Sequence, residues 1–237
     1  MNINEALVYA GGLTKVYNQT PALDNIDLNI GSGKIVGLLG PNGSGKTTFI
    51  KLLCGLLQPT SGVLTVGGRK IGTETKSMIS YLPDRMYIAD WFKACDLMDF
   101  FADFYQDFDK QKAIEMLSAL SIAPQDRIKT MSKGTKEKIQ LAMIMSRKAK
   151  LYLLDEPIAG VDPAARDFIL NTILTNYNEE GTVILSTHLI ADIEKVLDEA
   201  IFLQNGRVVR HSAVDDIREQ EGKSVDQLFR EIFAYGM

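Results

Sequence analysis

The stretch GPNGSGKT, Gly40 to Thr47, constrains what this chain can fold into more than any other. It fits the pattern G-x-x-x-x-G-K-[ST], and it lies between the apolar run KIVGLLG and a segment that reads as a helix from about Lys46. The pattern works through a buried strand, a loop and a helix. Glycines let the loop wrap, so that its N–H groups and the helix N-terminus converge on phosphate oxygens. Lys46 then reaches the β and γ phosphates, and the Thr47 hydroxyl coordinates Mg²⁺.

The rest of the chain supplies a sheet for that unit. The first thirty residues read as strands, with ALDNIDLNI alternating apolar and polar positions from Leu23 to Ile30, and SGVLTVGGRKI adds a strand and turn before ISYLPD. From Asp84 to Ile128 the texture is helical. Leu97, Phe100, Phe101, Phe104 and Phe108 recur at spacings of three and four, which predicts one helical face, mostly core, with a minority free to line a groove for a partner helix. A helix over Gly134 to Arg147 precedes the strand LYLLD, a helix from Pro163, the strand TVILST and a helix from Leu189, an alternation that implies a parallel sheet. AIFLQNGRVVR predicts a hairpin, since Asn205 and Gly206 can supply positive φ. In the tail, Val225, Leu228, Phe229, Ile232 and Phe233 share a face that should pack on the body.

Composition narrows the partners. In 237 residues, 46% hydrophobic and 24% charged, one large domain or a core with a subdomain is expected. A net charge of -4 leaves no basic footprint for nucleic acid or anionic lipid. The start MNINEALVYAGGLTKVY lacks the features of a signal peptide, and the apolar runs fall short of the roughly 18 residues that cross a bilayer. Cys54 and Cys95 have no metal-ligand spacing and read as two buried thiols in a reducing cytoplasm.

Two further segments carry chemistry. LYLLDEP ends an apolar strand in Asp155, which can hold Mg²⁺ through water at the carboxyl edge of a sheet. Glu156 follows, placed to orient an attacking water and act as its general base. MSKGTKEK starts a helix with Ser132 as N-cap. Lys133 lies in its first turn, where the positive end of the helix dipole disfavours a cation until an anion approaches; the alternative is a lysine that merely points into solvent.

From about Tyr17 to Arg210 the chain resembles the ATP-binding subunits of ABC transporters. KVYNQTPALDNI resembles the adenine-stacking segment, with Tyr17 as platform. GPNGSGKT matches Walker A, which implies nucleotide contacts from Asn42, Gly43, Ser44, Gly45, Lys46, Thr47 and Thr48. LYLLDE matches Walker B, AGVDP resembles the D-loop with Asp162 as its acid, and STH the switch segment with His188 at the γ-phosphate. MSKGT falls where the family writes LSGGQ. There Ser132, Lys133 and Gly134 would face the phosphates bound by a second subunit, with Lys133 in place of a glycine and Thr135 in place of the glutamine. Asp84 in YLPD stands where the family usually has a Q-loop glutamine. Its carboxylate is shorter, so it would reach the metal and the water directly or through a bridging water.

The resemblance implies an α/β fold: a P-loop NTPase core with a mixed or parallel sheet, an N-terminal antiparallel β-subdomain and an inserted helical subdomain. The expected parts are residues 1–84, phosphate-loop core plus antiparallel part; 85–148, helical subdomain with the signature helix; 149–211, the rest of the core; and 212–237, a helical tail. ATP and Mg²⁺ are the implied cofactors. The implied partners are a second ATP-binding subunit and an integral-membrane permease, with no nucleic acid, so the chain would be cytoplasmic and peripheral on the cell membrane. Catalysis would rest on Glu156, His188 and Asp84, and metal binding on Thr47, Asp155 and Asp84. An exporter-like ATPase driving a separate permease is the first expectation. A soluble ABC ATPase of an assembly complex, such as the iron-sulfur cluster assembly type, and a mainly regulatory partner in a heterodimer are the alternatives.

Overall fold

Two sheets form because two kinds of apolar pattern are present. The structure, a computed structural model, describes residues 6–234. The first five residues, part of the stretch read for a leader, and the last three of the tail lie outside the described residues. The chain runs through β1 (Val8–Tyr17), β2 (Thr20–Ile30), β3 (Ile35–Leu39), α1 (Lys46–Leu53), β4 (Ser61–Val66), β5 (Arg69–Lys70), α2 (Thr73–Met78) and β6 (Ile79–Leu82). The helical part follows, with α3 (Ala94–Phe104), α4 (Lys110–Ala119), a 3₁₀ turn at Ile128–Thr130 and α5 (Lys133–Met145). It continues with β7 (Leu151–Asp155), α6 (Pro163–Asn176), β8 (Thr182–Thr187), α7 (Ile190–Ile193), β9 (Glu199–Gln204), β10 (Arg207–Ala213), α8 (Val214–Glu221) and α9 (Val225–Ala234).

Strands β3, β7 and β8 are buried at every residue, which is what a continuous apolar run means in a sheet covered on both faces. They occupy the centre of a six-stranded sheet of order β10-β9-β3-β8-β7-β6, parallel except for the edge strand β10. The alternating strands instead form an antiparallel sheet of order β2-β1-β4-β5. Helix α1 is packed into the apolar layer shared by the two sheets, through Phe49, Ile50, Leu52 and Leu53. The opposite face of the parallel sheet is covered by α3 to α6 and by α9, whose Val225 and Leu228 are buried, with Phe229, Ile232 and Phe233 packed beside them. The β9–β10 turn has Asn205 at φ 48° and Gly206 at φ 77°, as a two-residue hairpin turn requires.

The parallel strands all end at one edge. The phosphate loop follows β3, Asp84 follows β6, Asp155 closes β7 and His188 follows β8, so residues far apart in sequence meet where open α/β sheets bind ligands. Among the described residues no helix is long and apolar enough to cross a membrane.

The aromatic stripe divides, as expected, into a buried majority and an exposed minority, but it does not all lie on one helix. Leu97 and Phe101 are buried, but Phe100 is 43% and Phe104 69% exposed. Phe104 is the last residue of α3 and projects past the packed body, and Phe100 lies at the margin of the stripe. Phe108 is not on the helix at all; the extended Tyr105 ends it, and Phe108 folds back to pack on Phe101 at 5.5 Å. Cys54 is buried and its thiol is pushed up to about 12 by that burial, whereas Cys95, in the first turn of α3, is only half-buried. The helix after Leu189 is a single turn, and α5 begins at Lys133 and ends at Met145, two residues short of Arg147.

Away from the carboxyl edge, Glu199 pairs with Lys34 and with His211 Nε2 at 2.7 Å, joining β9, β10 and the residue before β3. These partners, His211 foremost, hold its carboxyl down at about 2. A depressed carboxyl stabilises the fold above its ordinary value and loses that contribution as pH falls through the folded value. Replacing Glu199 with Gln is therefore expected to cost on the order of 2 kcal/mol at pH 7. The difference from the parent should fade as pH falls from 4.5 toward about 2. Urea unfolding of both proteins across that range checks it.

Candidate functional site

The loop between β3 and α1 is built from backbone conformations that only glycine takes without strain. Gly43 has φ 81° and Gly45 φ 113°, and a Cβ on Gly45 would stand 2.6 Å from the Ala22 carbonyl oxygen. Helix α1 has no side-chain cap at Gly45 and no acidic residue in its first turn, so its leading N–H groups and dipole face outward, the arrangement that receives an anion. The loop, with Ala22, Thr48, Asp84 and Glu156, lines a cleft of about 270 Å³. Asn42, Gly43, Ser44, Gly45, Lys46, Thr47 and Thr48 all line it. The Ser44 hydroxyl is buried without a partner among the described residues.

Lys46 is 5% exposed and shares its charge among three oxygens. Its Nζ donates to the Gly40 carbonyl at 2.8 Å and the Pro41 carbonyl at 3.2 Å, and Glu156 Oε1 lies 3.2 Å away. That last contact has the distance of an ion pair but not the angle of a hydrogen bond, since Oε1 has no hydrogen-bond partner. Lys46 is thus held over the loop with a carboxylate that a phosphate could displace.

Strand register places the acids. Asp155, the last residue of β7, pairs with Ser186 on β8. Its Oδ1 accepts from Ser186 Oγ at 2.6 Å and from Thr47 Oγ1 at 3.1 Å, while the buried Oδ2 has no partner among the described residues. Burial raises the carboxyl above its ordinary range against those two hydrogen bonds, with smaller pushes from the charges of Asp84 and Glu156. An unpartnered oxygen on a buried acid beside a hydroxyl fits Mg²⁺, a hard cation that takes one or two protein oxygens and fills its shell with phosphate and water. Among the described residues no group of three or more His, Cys, Asp or Glu side chains is placed to hold a metal ion.

Glu156 sits at φ 50°, a left-handed conformation that costs a non-glycine residue about 1–3 kcal/mol. Two hydrogen bonds from its N–H offset the strain, to the Ser186 carbonyl at 3.1 Å and to Ser186 Oγ at 3.0 Å. The twist aims its side chain back across the cleft, where Oε2 meets His188 Nδ1 at 3.0 Å. A carboxylate so held can orient a water and accept its proton.

Of the other expected residues, Asp84 lines the cleft, while Tyr17, Asp162 and the start of α5 do not. Tyr17 is 43% exposed at the end of β1, with Lys15 Nζ 5.2 Å from its ring centre. Asp162 is the N-cap of α6, accepting from the Ala165 N–H at 3.0 Å. Ser132, Lys133 and Gly134 open α5 and do not line the cleft. Lys133 is 90% exposed and 3.7 Å from Glu137, a pairing too loose and too wet to anchor it. Asp84 lines the cleft and also a smaller recess of about 70 Å³ with Glu137 and Gln140. Ser186 escaped sequence reasoning although it lies inside STH. Its part in the site, bridging Asp155 and the Glu156 backbone, needed the β7–β8 register, which no local signal encodes.

Comparison with known proteins agrees with this geometry. Residues 23–159 match the family model described as ABC transporter. The chain is 31% identical over 219 residues to the ABC transporter ATP-binding protein YxlF of Bacillus subtilis (strain 168), covering 90% of this chain and 73% of that one. It is also 31% identical over 225 residues to the linearmycin resistance ATP-binding protein LnrL of the same organism, covering 91% and 72%. Among solved structures, an ATP-binding subunit of an ABC transporter superposes with a TM-score of 0.84 at 28% identity, covering 95% of this chain and 99% of that one. The dimeric cassette MJ0796 bound to ADP and Pi shares the fold, with a TM-score of 0.75 at 22% identity over 87% and 98% of the two chains.

Proposed function

This chain belongs to the ABC transporter family of ATP-binding proteins and is an ABC-type ATPase, and from that premise we propose that two such subunits close head to tail around ATP and drive a separate membrane permease outward. The observation that carries the proposal is the meeting, at one sheet edge, of a phosphate loop, a buried lysine, an acid with a free oxygen and a second acid held by histidine. The loop N–H groups and Lys46 hold the β and γ phosphates. Thr47 and Asp155 would hold Mg²⁺, which when bound would neutralise charge on the phosphates. As phosphate draws Lys46 away, Glu156 Oε1 becomes free to orient the attacking water and take its proton, while His188 keeps the other oxygen in place. Asp84 supplies a further oxygen ligand at the rim. In the closed dimer a partner's Ser132, Lys133 and Gly134 would face this nucleotide, with Tyr17 stacking the base and Asp162 set near the dimer seam.

The permease fits the exposed aromatic face of the part spanning 85–148. Trp91 is 79% exposed, and its ring runs on through Phe92 and Phe100 to Phe104 with centroid separations of 5.9, 5.5 and 4.6 Å. A contiguous exposed apolar row of this kind marks an interaction site. Exposed Asp96 and Asp103 border it, and the cytoplasmic segments of membrane proteins carry an excess of Lys and Arg, so charge as well as shape favours such a partner. Docking there would place this subunit peripherally on the cytoplasmic face of the membrane. A relative named for linearmycin resistance supports the outward direction. Copurification from detergent-solubilised membranes tests the assignment: a bound permease supports it, and a soluble assembly complex recovered in its place refutes it. The pair Trp91→Ala and Phe104→Ala is expected to weaken permease association at least tenfold, since buried aromatic anchors dominate such interfaces. Nucleotide affinity should be unchanged.

A further inference from the structure

The start of α5 contains a hydroxyl pair that bears on how Ser132 meets a triphosphate. Thr135 contacts Ser132 Oγ twice: its N–H donates at 3.1 Å, and its Oγ1 lies 2.8 Å away. A serine hydroxyl has one proton to give and two lone pairs to receive. With Thr135 Oγ1 as donor, both lone pairs are filled by one residue, and the Ser132 proton is left with no acceptor among the described residues. The opposite direction would spend that proton on Thr135 and turn the remaining Ser132 lone pair toward any incoming oxygen anion, an unfavourable meeting.

We infer that Thr135 is a positioning residue: its hydroxyl donates to Ser132 Oγ and so makes Ser132 an obligate donor to the γ-phosphate of ATP bound by the partner subunit. The inference rests on the head-to-tail reading above. A bond from a neutral hydroxyl to a phosphate is about twice as strong as one between neutral groups, so the anion decides the direction of the 2.8 Å bond as it arrives. The surroundings agree. The first turn of α5 has no acidic residue. Lys136 is engaged with Asp90 at 2.5 Å, and Lys138, in the next turn, lies over the Phe168 ring at 4.7 Å, so Lys133 is the lysine at this end of α5 left to swing toward the same anion.

The test uses the full chain carrying Glu156→Gln, to suppress turnover, and reads three quantities: the ATP-dependent dimer dissociation constant by sedimentation, ATP affinity under conditions where the chain is monomeric, and the melting temperature. Thr135→Val keeps the shape of threonine and removes the hydroxyl. It should raise the dimer constant about tenfold and leave monomer affinity and melting within error. Thr135→Ala should match it, which guards against a disturbance from valine in the first turn. Thr135→Ser, which keeps the hydroxyl, should stay within about threefold of the parent. A valine variant that dimerises like the parent, or a serine variant as weak as the valine one, overturns the inference. Ser132→Ala separates its failure from that of the head-to-tail reading. If that variant weakens the dimer and Thr135→Val does not, the positioning role alone falls; if neither has an effect, the contact between Ser132 and the partner's nucleotide falls with it.

Discussion

Glu156→Gln is expected to lower ATP turnover by about 10³-fold, within the range that positioned general bases supply. The substitution is nearly isosteric and keeps a hydrogen-bonding group beside His188 Nδ1, now 3.0 Å from Glu156 Oε2. The amide cannot accept the proton of the attacking water. It also removes the carboxylate that stands 3.2 Å from Lys46 Nζ, so the lysine becomes free to commit to phosphate. Nucleotide affinity should therefore hold or tighten while hydrolysis stops, and the ATP-loaded dimer should accumulate. Single-turnover phosphate release measures the first effect and sedimentation the second. A loss below tenfold would show that Glu156 is not the base.

Lys46→Met is expected to weaken ATP binding by 10²–10³-fold. The methionine keeps most of the apolar stem, so the change isolates the charge. In the parent the ammonium is buried and bonded to the Gly40 and Pro41 carbonyls, with Glu156 beside it. Hydrogen bonds to charged groups contribute about 1.5–3 kcal/mol each, and loss of two phosphate contacts at the lower end of that range accounts for the expected fall. A second effect follows from what is left behind. Glu156, 15% exposed, loses its cation, and removing one member of a buried pair destabilises more than the pair contributed. The melting temperature should drop in Lys46→Met and recover in part when Glu156→Gln is added, because the stranded charge is then gone. Titration calorimetry and thermal melts of the single and double variants read both outcomes.

How far the site was legible in sequence depends on the length of chain each feature spans. Gly40 to Thr47 is contiguous, and the strand, loop and helix around it are local, so its conformation and chemistry could be read directly. The same holds for Ser132 as N-cap of α5 and for the Asn205–Gly206 turn. Asp155 and Glu156 could be recognised as acids after a buried strand, but their unequal environments could not. One is buried with a raised carboxyl, and the other is twisted to φ 50° and shared between Lys46 and His188. In the aromatic stripe, periodicity states which side chains share a face, while the extent of the neighbouring core decides that Phe100 and Phe104 are the ones left uncovered, and the end of α3 at Tyr105 takes Phe108 off the helix.

The sequence by itself determined the local chemistry of this protein: a loop that wraps phosphate, a strand that ends in acids, a helix that begins with a serine cap, and the family to which that order of motifs belongs. Only the tertiary structure decided which of these groups touch. The order β3-β8-β7-β6 and the pairing of Asp155 with Ser186 carry residues from four distant segments to one edge, and they recruit Ser186 to a site its own surroundings do not announce. Short-range patterns fix backbone conformation through sterics and hydrogen bonds between near neighbours. Contacts between strands depend on packing of the whole core, which no single segment contains.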